Sequence, residues 1–294
     1  MKGVILAAGY ATRFLPASKT IPKEMFPLID RPAIDFIVQE MVDSGIQDIL
    51  LVSSRRKKVM EDYFDREVEL SSAFSESQEY EKLKVIKPIK ANIFTLRQQY
   101  MMGTGNALML VEPFVNNEPF VVAYPDDIVL GEKPLSKQLI ETWEKTGDTV
   151  LSVQELSEDQ LSRYGVINKE GEGKIMKVKN MVEKPKPGTA PSRFVSFGRY
   201  LYTPELFNAL RASDKRQSSK SEFTQTEAIN QMAKNRNVSA LQFEGTRYDL
   251  GDPLGFLTSA MQIGLQRMEF KGDLLDEMRR LLKLHDNPKG ENIH

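Results

Sequence analysis

The sequence predicts an α/β fold with a mostly parallel central sheet. Two observations carry this prediction. Short apolar runs typical of strands buried on both faces alternate with segments of helical periodicity through the first half of the chain. The apolar runs at residues 4–8 and Asp48–Ser53 flank one such helical segment. A strand, a crossover helix and a second strand imply a parallel pair, because such crossovers are almost always right-handed.

The first helix is predicted by its spacing and by its terminal residues. Pro32 suits the first position of a helix, and apolar residues follow at intervals of three and four until Gly45. The same alternation of elements continues along the chain. It predicts strands at Asn92–Arg97, 120–124 and 149–153 and helices at 105–111 and 135–145.

The character of the sequence changes after residue 160. Shorter β-like runs, separated by clusters of Gly, Pro and Lys, predict a small mixed-sheet subdomain at about 160–250. Its strands are predicted at 164–168, 174–182 and 195–202. The polar stretch 211–221 is typical of a surface loop. Residues 254–284 carry an apolar stripe at helical spacing, which predicts C-terminal helices.

The composition argues against several kinds of site. The 294 residues include 40 Lys and Arg, 41 Asp and Glu, two His and no Cys. A formal charge of -1 provides no overall field that would attract nucleic acid. The absence of Cys removes disulfides and thiolate chemistry, and both His lie in the polar tail. We therefore expect no nucleic-acid partner, no His-based triad and no zinc site.

Apolar runs along the chain are short. None approaches the roughly 20 residues that a membrane-spanning helix needs. The first run, residues 4–8, is also too short for the apolar core of a secretory signal. We therefore expect a cytoplasmic protein without a membrane partner.

Three loops at the predicted carboxyl ends of strands are chemically unusual, and open parallel sheets bind ligands at those ends. These loops are residues 9–24, 98–106 and 125–128. In the first, Gly9 permits close approach of the backbone to a ligand, while Arg13 and Lys23 supply cations that suit a triphosphate. The loop has neither the spacing of a P-loop nor the second Gly of a dinucleotide fingerprint.

Two carboxylates are candidates for a metal site. Asp126 follows an apolar strand, where its side chain is placed to hold Mg²⁺ beside phosphate oxygens. Asp249 is a second candidate of the same kind. For both residues the alternative interpretation is a helix cap or a turn.

Other candidates carry weaker signals on their own. Gln98 has an amide that could donate to and accept from a base edge, and the turn at residues 103–106 could expose backbone groups beside it. Glu183 and Lys184 alone resemble any charged end of a strand. A functional role can be assigned to these residues only when the chain is compared with a known family.

Taken in order, these segments resemble the bacterial UTP:glucose-1-phosphate uridylyltransferases, a branch of the sugar-1-phosphate nucleotidyltransferases. The resemblance extends from Leu6 to about Leu265. Its most specific markers are the runs TRFLPASK at 12–19 and PKEM at 22–25. Further markers are PDDI at 125–128, RYGV at 163–166, VEKP at 182–185, GRY at 198–200, and YD at 248–249 followed by Gly251.

The resemblance implies a fold and a division of the chain. The fold is a Rossmann-like nucleotidyltransferase fold with a mostly parallel central sheet, a small mixed-sheet sugar-binding subdomain and C-terminal helices. Residues 1–265 would form the catalytic domain, of which about 160–250 complete the sugar-phosphate side. Residues 266–294 would form a C-terminal helix and a polar tail.

The same resemblance implies a role for each candidate residue. Residues for the nucleotide would be Ala8, Gly9, Gln98, Gly103 and Asp126. Residues for the sugar phosphate would be Gly165, Glu183 and Lys184. Catalytic cations would be Arg13, Lys23 and Lys184, where the first two neutralise the triphosphate and the leaving pyrophosphate. Asp126 and Asp249 would hold Mg²⁺ as the cofactor.

The implied reaction is in-line attack of glucose 1-phosphate on the α-phosphorus of UTP, which yields UDP-glucose and pyrophosphate. It needs positioning and charge stabilisation but no protein nucleophile. The resemblance also suggests a homodimer or larger homo-oligomer, formed through the C-terminal helices. The family's product commonly feeds cell-envelope glycan synthesis.

The chain departs from the family pattern in the first loop and in the segments 103–106 and 222–227. The family usually has Gly where this chain has Ala11, His where it has Asn106 and Gln where it has Thr224. These departures leave two alternatives open. One is a uridylyltransferase for another sugar 1-phosphate, and the other is a non-catalytic homologue that binds UDP-sugars.

Overall fold

Strands from both halves of the chain join one central sheet in the computed structural model, which describes residues 1–214 and 223–285. The strands are β1 Lys2–Leu6, β2 Pro27–Leu28, β3 Arg31–Pro32, β4 Asp48–Ser53, β5 Asn92–Arg97, β6 Phe120–Ala123, β7 Asp127–Leu130, β8 Thr149–Glu155, β9 Gly165–Glu170, β10 Ile175–Glu183, β11 Phe194–Tyr202, β12 Val238–Gln242 and β13 Thr246–Asp249. Nine of them form the sheet, in the order β5-β4-β1-β6-β11-β8-β12-β10-β9.

Strand direction confirms the prediction of a mostly parallel sheet. Strands β5, β4, β1 and β6 are parallel neighbours, as are β8 and β12. Strand β11 is antiparallel to both β6 and β8, and β10 is antiparallel to both β12 and β9. Only β10 and β11 therefore run against the other strands of this sheet. Of the strands predicted for the mixed-sheet subdomain, β9 and β10 form the far edge of this same sheet, whereas β11 lies between β6 and β8.

The helices are α1 Ala33–Asp43, α2 Lys58–Phe64, α3 Val68–Glu76, α4 Tyr80–Val85, α5 Thr104–Leu110, α6 Glu112–Val115, α7 Leu135–Thr146, α8 Glu205–Asp214, α9 Thr226–Lys234, α10 Pro253–Gly264 and α11 Lys271–His285. The predicted helices α1, α5 and α7 are confirmed with ends shifted by one or two residues. The predicted C-terminal helices are α10 and α11. None of the helices in the described part of the chain is long and apolar enough to cross a membrane.

Some details of the predictions were wrong. The first strand ends at Leu6, two residues before the predicted end, because Ala7 and Ala8 already lead into the loop. Pro32 precedes α1 with extended backbone and is not its first residue, because it pairs with Pro27 in the ladder of β2 and β3. Within the predicted surface loop, residues 211–214 end α8, and residues 215–221 lie outside the described residues.

Most of the core consists of two apolar layers, one on each face of the sheet, and a smaller third cluster contains Leu161, Val166, Val195 and Phe197. Successive residues of β1 and the residue after it alternate between the two layers, with Val4 and Leu6 in one layer and Ile5 and Ala7 in the other. Helices α1 and α7 cover one face, and α5, α8 and α9 cover the opposite face. Burial on both faces explains why the central strands are continuous apolar runs.

Candidate active site

The carboxyl ends of β1, β5 and β6 border a cavity of about 420 Å³, called the first cavity below. This is the position at which open α/β sheets bind ligands. Its lining includes all five residues predicted to contact a nucleotide, which are Ala8, Gly9, Gln98, Gly103 and Asp126. Lys23 also lines this cavity.

A second cavity, of about 290 Å³, lies beside the first. Gly165, Glu183 and Lys184, the three residues predicted for the sugar phosphate, all line it. A Cβ atom at Gly165 would lie 3.1 Å from Glu183 Oε2, so a larger residue at this position would crowd that carboxylate. The two cavities share a wall formed by Thr104, Tyr124 and Asp126.

A third cavity, of about 310 Å³, brings the remaining candidates together. Its lining includes Arg13, Asp126, Lys184 and Asp249. Arg13 comes from the loop after β1, and its Nη1 atom donates to the carbonyl oxygen of Gly251 at 3.3 Å. Every predicted site residue therefore lines at least one of three adjoining cavities.

Aromatic packing and a buried ion pair hold the loop after β1. The Phe14 ring packs edge-on against Phe26 and Phe256, with centroids 5.4 and 6.1 Å apart. Lys57 and Glu24, both buried, form an ion pair at 2.8 Å. Lys23, which directly precedes Glu24 in the sequence, donates a hydrogen bond to Asp126 Oδ2 at 2.9 Å. The predicted phosphate-binding lysine thus lies against the predicted metal-binding carboxylate.

Asp249 has partners on both carboxylate oxygens. Its Oδ1 accepts from the backbone N–H of Gly251 at 2.8 Å, and its Oδ2 accepts from Tyr164 at 2.9 Å and from Arg247 at 3.1 Å. Burial opposes ionisation, but Arg247, the Gly251 N–H and Tyr164 together hold the pKa of Asp249 below its usual range. Asp249 is therefore a carboxylate at neutral pH.

The neighbouring Asp127 faces a different set of partners. Its Oδ1 accepts from Arg247 Nε at 2.6 Å, and its Oδ2 accepts from the Gly198 N–H at 3.1 Å. Burial raises the pKa of Asp127, and Arg247 partly opposes this rise. The Arg247 guanidinium stacks 3.8 Å from the Phe197 ring centroid. Arg247 consequently links Asp127 to Asp249 from a fixed position.

Two site residues have left-handed backbone although neither is glycine. Ala11, which lines the first cavity, has φ 52° and ψ 43°, and its carbonyl oxygen accepts from Ser18 Oγ at 2.8 Å. Lys184 has φ 47°. Such conformations cost roughly 1–2 kcal/mol each in residues with a side chain, and they concentrate at functional sites.

Of the other two departures, one lines a cavity and one contacts a residue that does. Thr224 lines the second cavity, beside Gln225, which accepts a hydrogen bond from the Tyr124 hydroxyl. Asn106 lies on α5 and contacts Gln98. Ala11 and Thr224 thus line cavities of the candidate site, whereas Asn106 lies behind Gln98 and outside the three cavity linings.

Sequence reasoning missed several residues that organise the site, notably Lys57, Tyr124, Tyr164 and Arg247. Arg247 could have been found, because residues two apart on a strand share one face and Asp249 was already a candidate. Lys57 gave no such signal. It lies in the charge run 55–58, which is typical of a solvated surface.

The donors present suit a magnesium ion. Within residues 1–214 and 223–285 there is no cluster of three or more acidic, His or Cys side chains placed to bind a metal. Asp126 and Asp249 nevertheless line the same cavity and offer hard carboxylate oxygens. Mg²⁺ commonly keeps several waters and binds through one or two carboxylates together with substrate phosphates. A pair of carboxylates is therefore sufficient for this metal.

Known proteins resemble the chain over nearly its whole length. The family described as nucleotidyl transferase matches residues 2–265. A UTP--glucose-1-phosphate uridylyltransferase of Staphylococcus haemolyticus (strain JCSC1435) is 41% identical over 283 residues, which are 95% of this chain and 98% of that protein.

Two solved structures share the fold. A UDP-glucose pyrophosphorylase complexed with UDP-glucose has a TM-score of 0.80 at 34% identity, covering 90% of this chain and 99% of that one. A UTP-bound UGPase from Acinetobacter baumannii has a TM-score of 0.84 at 30% identity, covering 93% and 98%. The chain therefore belongs to the nucleotidyl transferase family and, within it, to the UTP–glucose-1-phosphate uridylyltransferases.

Proposed function

We propose that this chain, a uridylyltransferase by family, converts UTP and glucose 1-phosphate to UDP-glucose and pyrophosphate. The observation that carries the proposal is the shared wall between the first and second cavities. A nucleotide in one cavity and a sugar phosphate in the other would meet at this wall. Asp126 belongs to this wall, Lys23 lines the first cavity and contacts Asp126, and Lys184 lines the second cavity.

The proposed chemistry is positioning combined with charge stabilisation. A phosphate oxygen of the sugar phosphate attacks the α-phosphorus, the bond to the β-phosphate breaks, and pyrophosphate leaves with the electron pair. Lys184 binds the attacking phosphate through its ammonium group. Arg13 and Lys23 neutralise the charge that develops on the leaving group.

Binding of the two substrates divides between the cavities. We assign uracil and ribose to Ala8, Gly9, Gln98 and Gly103, whose backbone and amide groups border the first cavity. The sugar hydroxyls are assigned to Gly165 and Glu183, which border the second cavity. Residues 1–265 would constitute the catalytic domain.

Asp126 and Asp249 would hold Mg²⁺, which would neutralise phosphate oxygens when bound. Contacts within the protein fix the positions of the two carboxylates. Arg247 and Tyr164 hold the Asp249 carboxylate, and the N–H of Leu250 donates to the carbonyl oxygen of Asp126 at 2.7 Å. This backbone contact brings the segments that carry the two carboxylates together.

Pyrophosphate release tests the proposal. The purified protein is incubated with UTP, glucose 1-phosphate and Mg²⁺, and we expect release that depends on all three. Asp126→Asn should lower kcat on the order of 100-fold while circular dichroism remains unchanged. Absence of release from the unmodified protein would reject catalysis, and tight binding of UDP-glucose without turnover would identify a non-catalytic homologue.

Lys184→Ala should lower kcat/KM for glucose 1-phosphate by about 10- to 100-fold, because a charge-assisted contact to phosphate is lost. Lys186→Ala is the matched control, since Lys186 is exposed two residues further along and lines none of the three cavities. Equal effects of the two substitutions would reject the assignment of Lys184.

A different sugar 1-phosphate is the second candidate substrate. Thr224, Gln225 and Tyr124 give the second cavity a polar wall that could suit another hydroxyl pattern or an amide substituent. A panel of glucose, galactose and N-acetylglucosamine 1-phosphates decides between them by kcat/KM. If the protein prefers galactose 1-phosphate or N-acetylglucosamine 1-phosphate, that compound would replace glucose 1-phosphate as the proposed substrate.

We further propose a homodimer or larger homo-oligomer formed through the C-terminal helices. Helix α11 has no buried residue and exposes Leu281, Leu282 and Leu284. An exposed apolar stripe of this kind is typical of an interface. Light scattering of the purified protein gives the mass directly, and a monomer at micromolar concentration would contradict the proposal.

A further inference from the structure

Gln225 borders the second cavity and is only 7% exposed. It directly precedes α9, and its carbonyl oxygen accepts from the N–H of Ile229 at 2.9 Å. Further along this helix, the Asn230 side chain accepts from the backbone N–H of Met181 at 2.6 Å and donates to the Met181 carbonyl oxygen at 2.9 Å. Met181 lies on β10, the strand that ends at Glu183. The start of α9 therefore has a fixed position beside the strand that carries Glu183.

The Gln225 amide is paired at one end only. The Tyr124 hydroxyl donates to Gln225 Oε1, and no described residue accepts a hydrogen bond from Gln225 Nε2. This nitrogen is also not one of the enclosed polar atoms that lack a partner in the described part of the chain, whereas Ser196 Oγ in the same cavity lining is one of them. One end of the Gln225 amide is therefore accessible from the second cavity.

The orientation of the Gln225 amide does not alter this accessibility. If the amide were reversed, the Tyr124 hydroxyl would accept from Nε2 instead of donating to Oε1, and the amide oxygen would face the cavity. A sugar hydroxyl satisfies either end, because a hydroxyl both donates and accepts. An amide end left without a partner in a closed site is costly, so a sugar that supplies a hydroxyl there is favoured over one that does not.

We propose that Gln225 is a specificity-determining residue for the sugar and that it pairs with one hydroxyl of a hexose 1-phosphate. Tyr124 is the positioning residue, since its hydroxyl holds the Gln225 amide in place. Sugars that lack the contacted hydroxyl leave the free end of the amide unpaired and bind more weakly. The inference rests on the proposed assignment of the sugar phosphate to the second cavity.

Substitutions at two positions separate the roles of Gln225 and Tyr124. Gln225→Leu has a similar size but no polar end. Tyr124→Phe keeps the ring and removes the hydroxyl, so the amide loses the contact that orients it. Because Tyr124 acts through Gln225, the double variant should bind the sugar no more weakly than Gln225→Leu alone. Gln231→Leu is the matched control, since Gln231 lies on the same helix and lines none of the three cavities.

The experiment measures dissociation constants of the full-length protein by calorimetry. The ligands are UMP, UDP-glucose and the analogues of UDP-glucose that lack the hydroxyl at C2, C3, C4 or C6. We expect Gln225→Leu to weaken the binding of UDP-glucose about tenfold, through the loss of one hydrogen bond in a buried site, and to leave the binding of UMP unchanged. Tyr124→Phe should weaken the binding of UDP-glucose by a smaller factor, and Gln231→Leu should leave it unchanged.

The analogues identify the contacted hydroxyl. The analogue that lacks it should bind the unmodified protein about tenfold more weakly than UDP-glucose does, and Gln225→Leu should not weaken its binding further. The other analogues should lose affinity in Gln225→Leu as UDP-glucose does. Equal losses for UDP-glucose and every analogue would overturn the inference, as would unchanged binding of UDP-glucose. If Gln225→Leu does not fold, Gln225→Met is measured in its place.

Binding measurements also separate this inference from the proposed function. UDP-glucose binding that depends on Gln225, in a protein that releases no pyrophosphate, would retain the inference and reject catalysis. Release of pyrophosphate by a protein whose binding of UDP-glucose does not depend on Gln225 would do the reverse.

Discussion

Lys57 Nζ donates hydrogen bonds to both carboxylate oxygens of Glu24, at 2.8 and 2.9 Å, in the interior of the protein. The same nitrogen donates to the carbonyl oxygen of Ala7 at 2.6 Å. Burial lowers the pKa of Lys57, and the attraction of Glu24 partly opposes this effect. One ammonium group thus joins the end of β1 to the turn that carries Lys23.

Lys57→Met should lower the free energy of unfolding by about 3–5 kcal/mol, because it leaves the Glu24 carboxylate buried without a partner. Urea denaturation measures the change. The double variant Lys57→Met/Glu24→Leu should recover most of the loss, because replacing both members of a buried pair with apolar residues is often nearly neutral. A double variant no more stable than the single one would contradict this account.

Lys58→Met is the matched control for Lys57→Met. The Lys58 side chain is 73% exposed, and its nitrogen lies 4.0 Å from Asp62. Exposed pairs of this kind contribute little, so the free energy of unfolding should change by less than about 1 kcal/mol. Equal losses in the two single variants would show that burial of the Lys57 pair is not the cause.

Ala11 occupies a left-handed conformation in the loop after β1. Ala11→Val should lower the free energy of unfolding by about 1–3 kcal/mol, because β-branched side chains fit this region poorly. Ala11→Gly should change it by less than about 1 kcal/mol, since relief of strain is offset by the greater freedom of Gly in the unfolded chain. Thermal and urea denaturation measure both variants.

Ala17→Val tests whether the effect at Ala11 arises from backbone conformation. Ala17 is exposed in the same loop and is not among the residues with positive φ. Its substitution should therefore be nearly neutral. A loss at Ala17 as large as that at Ala11 would point to the valine side chain and not to the backbone.

Gly105→Ala should destabilise the start of α5. The Cβ atom would lie 2.9–3.0 Å from the Phe223 ring, and the Gly105 N–H donates to the Phe223 carbonyl oxygen at 2.9 Å. Overpacking of this kind costs about 1–3 kcal/mol. Urea denaturation should show the loss, and the added substitution Phe223→Leu should restore part of it.

Gly272→Ala provides the comparison, because nothing lies within 4 Å of a Cβ atom at that position of α11. There the substitution should raise the free energy of unfolding by about 0.5–1 kcal/mol through helix propensity alone. The opposite signs at Gly105 and Gly272 are the expected result. A loss at both positions would count against the contact with Phe223.

The pH dependence of stability should report the Asp249 carboxylate. Its pKa in the folded protein lies below the ordinary value of 3.8, so the ionised group stabilises the fold above that value. This stabilisation is lost as the pH falls from about 4 through the lowered pKa of the folded state. The Asp249→Asn variant lacks this stabilisation at every pH.

Urea denaturation between pH 6 and pH 3 measures this difference. The advantage of the unmodified protein over Asp249→Asn should be largest at pH 6 and should shrink below about pH 4. Asp62→Asn is the control, since that side chain is 62% exposed and its substitution should change the free energy of unfolding by less than about 1 kcal/mol. A constant difference between the unmodified protein and Asp249→Asn across the range would exclude a lowered pKa.

The central strands and the first helices were predictable because burial imposes a local pattern. Asp48–Ser53 and Asn92–Arg97 have the bounds that the apolar runs predicted. The helices α2, α3, α4, α6, α8 and α9 were not predicted. Helices α3 and α4 have no buried residue and therefore no apolar stripe. Helices α8 and α9 do bury apolar residues at helical spacing, and the sequence prediction missed this pattern. The insertion of β11 between β6 and β8 could not be read from local pattern, since it depends on pairing between distant segments.

The positions of the candidate site residues were predictable to a similar extent. The rule that ligands bind beyond the carboxyl ends of parallel strands located Gly9 and Asp126. The buried Lys57 was not predictable, because burial of a lysine depends on its acidic partner elsewhere in the fold and not on its neighbours in sequence. Gly165 and Glu183 depended on the family resemblance, because a charged strand end carries no specific signal.

On the proposed assignment of the nucleotide and the sugar phosphate, the wall shared by the first and second cavities couples the evolution of the two specificities. A substitution at Thr104, Tyr124 or Asp126 alters the surroundings of both cavities at once, so a gain for a new sugar there would be paired with a change in nucleotide use. Residues that line only the second cavity, such as Met181 and Thr224, escape this constraint. Divergence in sugar preference among descendants of this chain should therefore accumulate at those positions first.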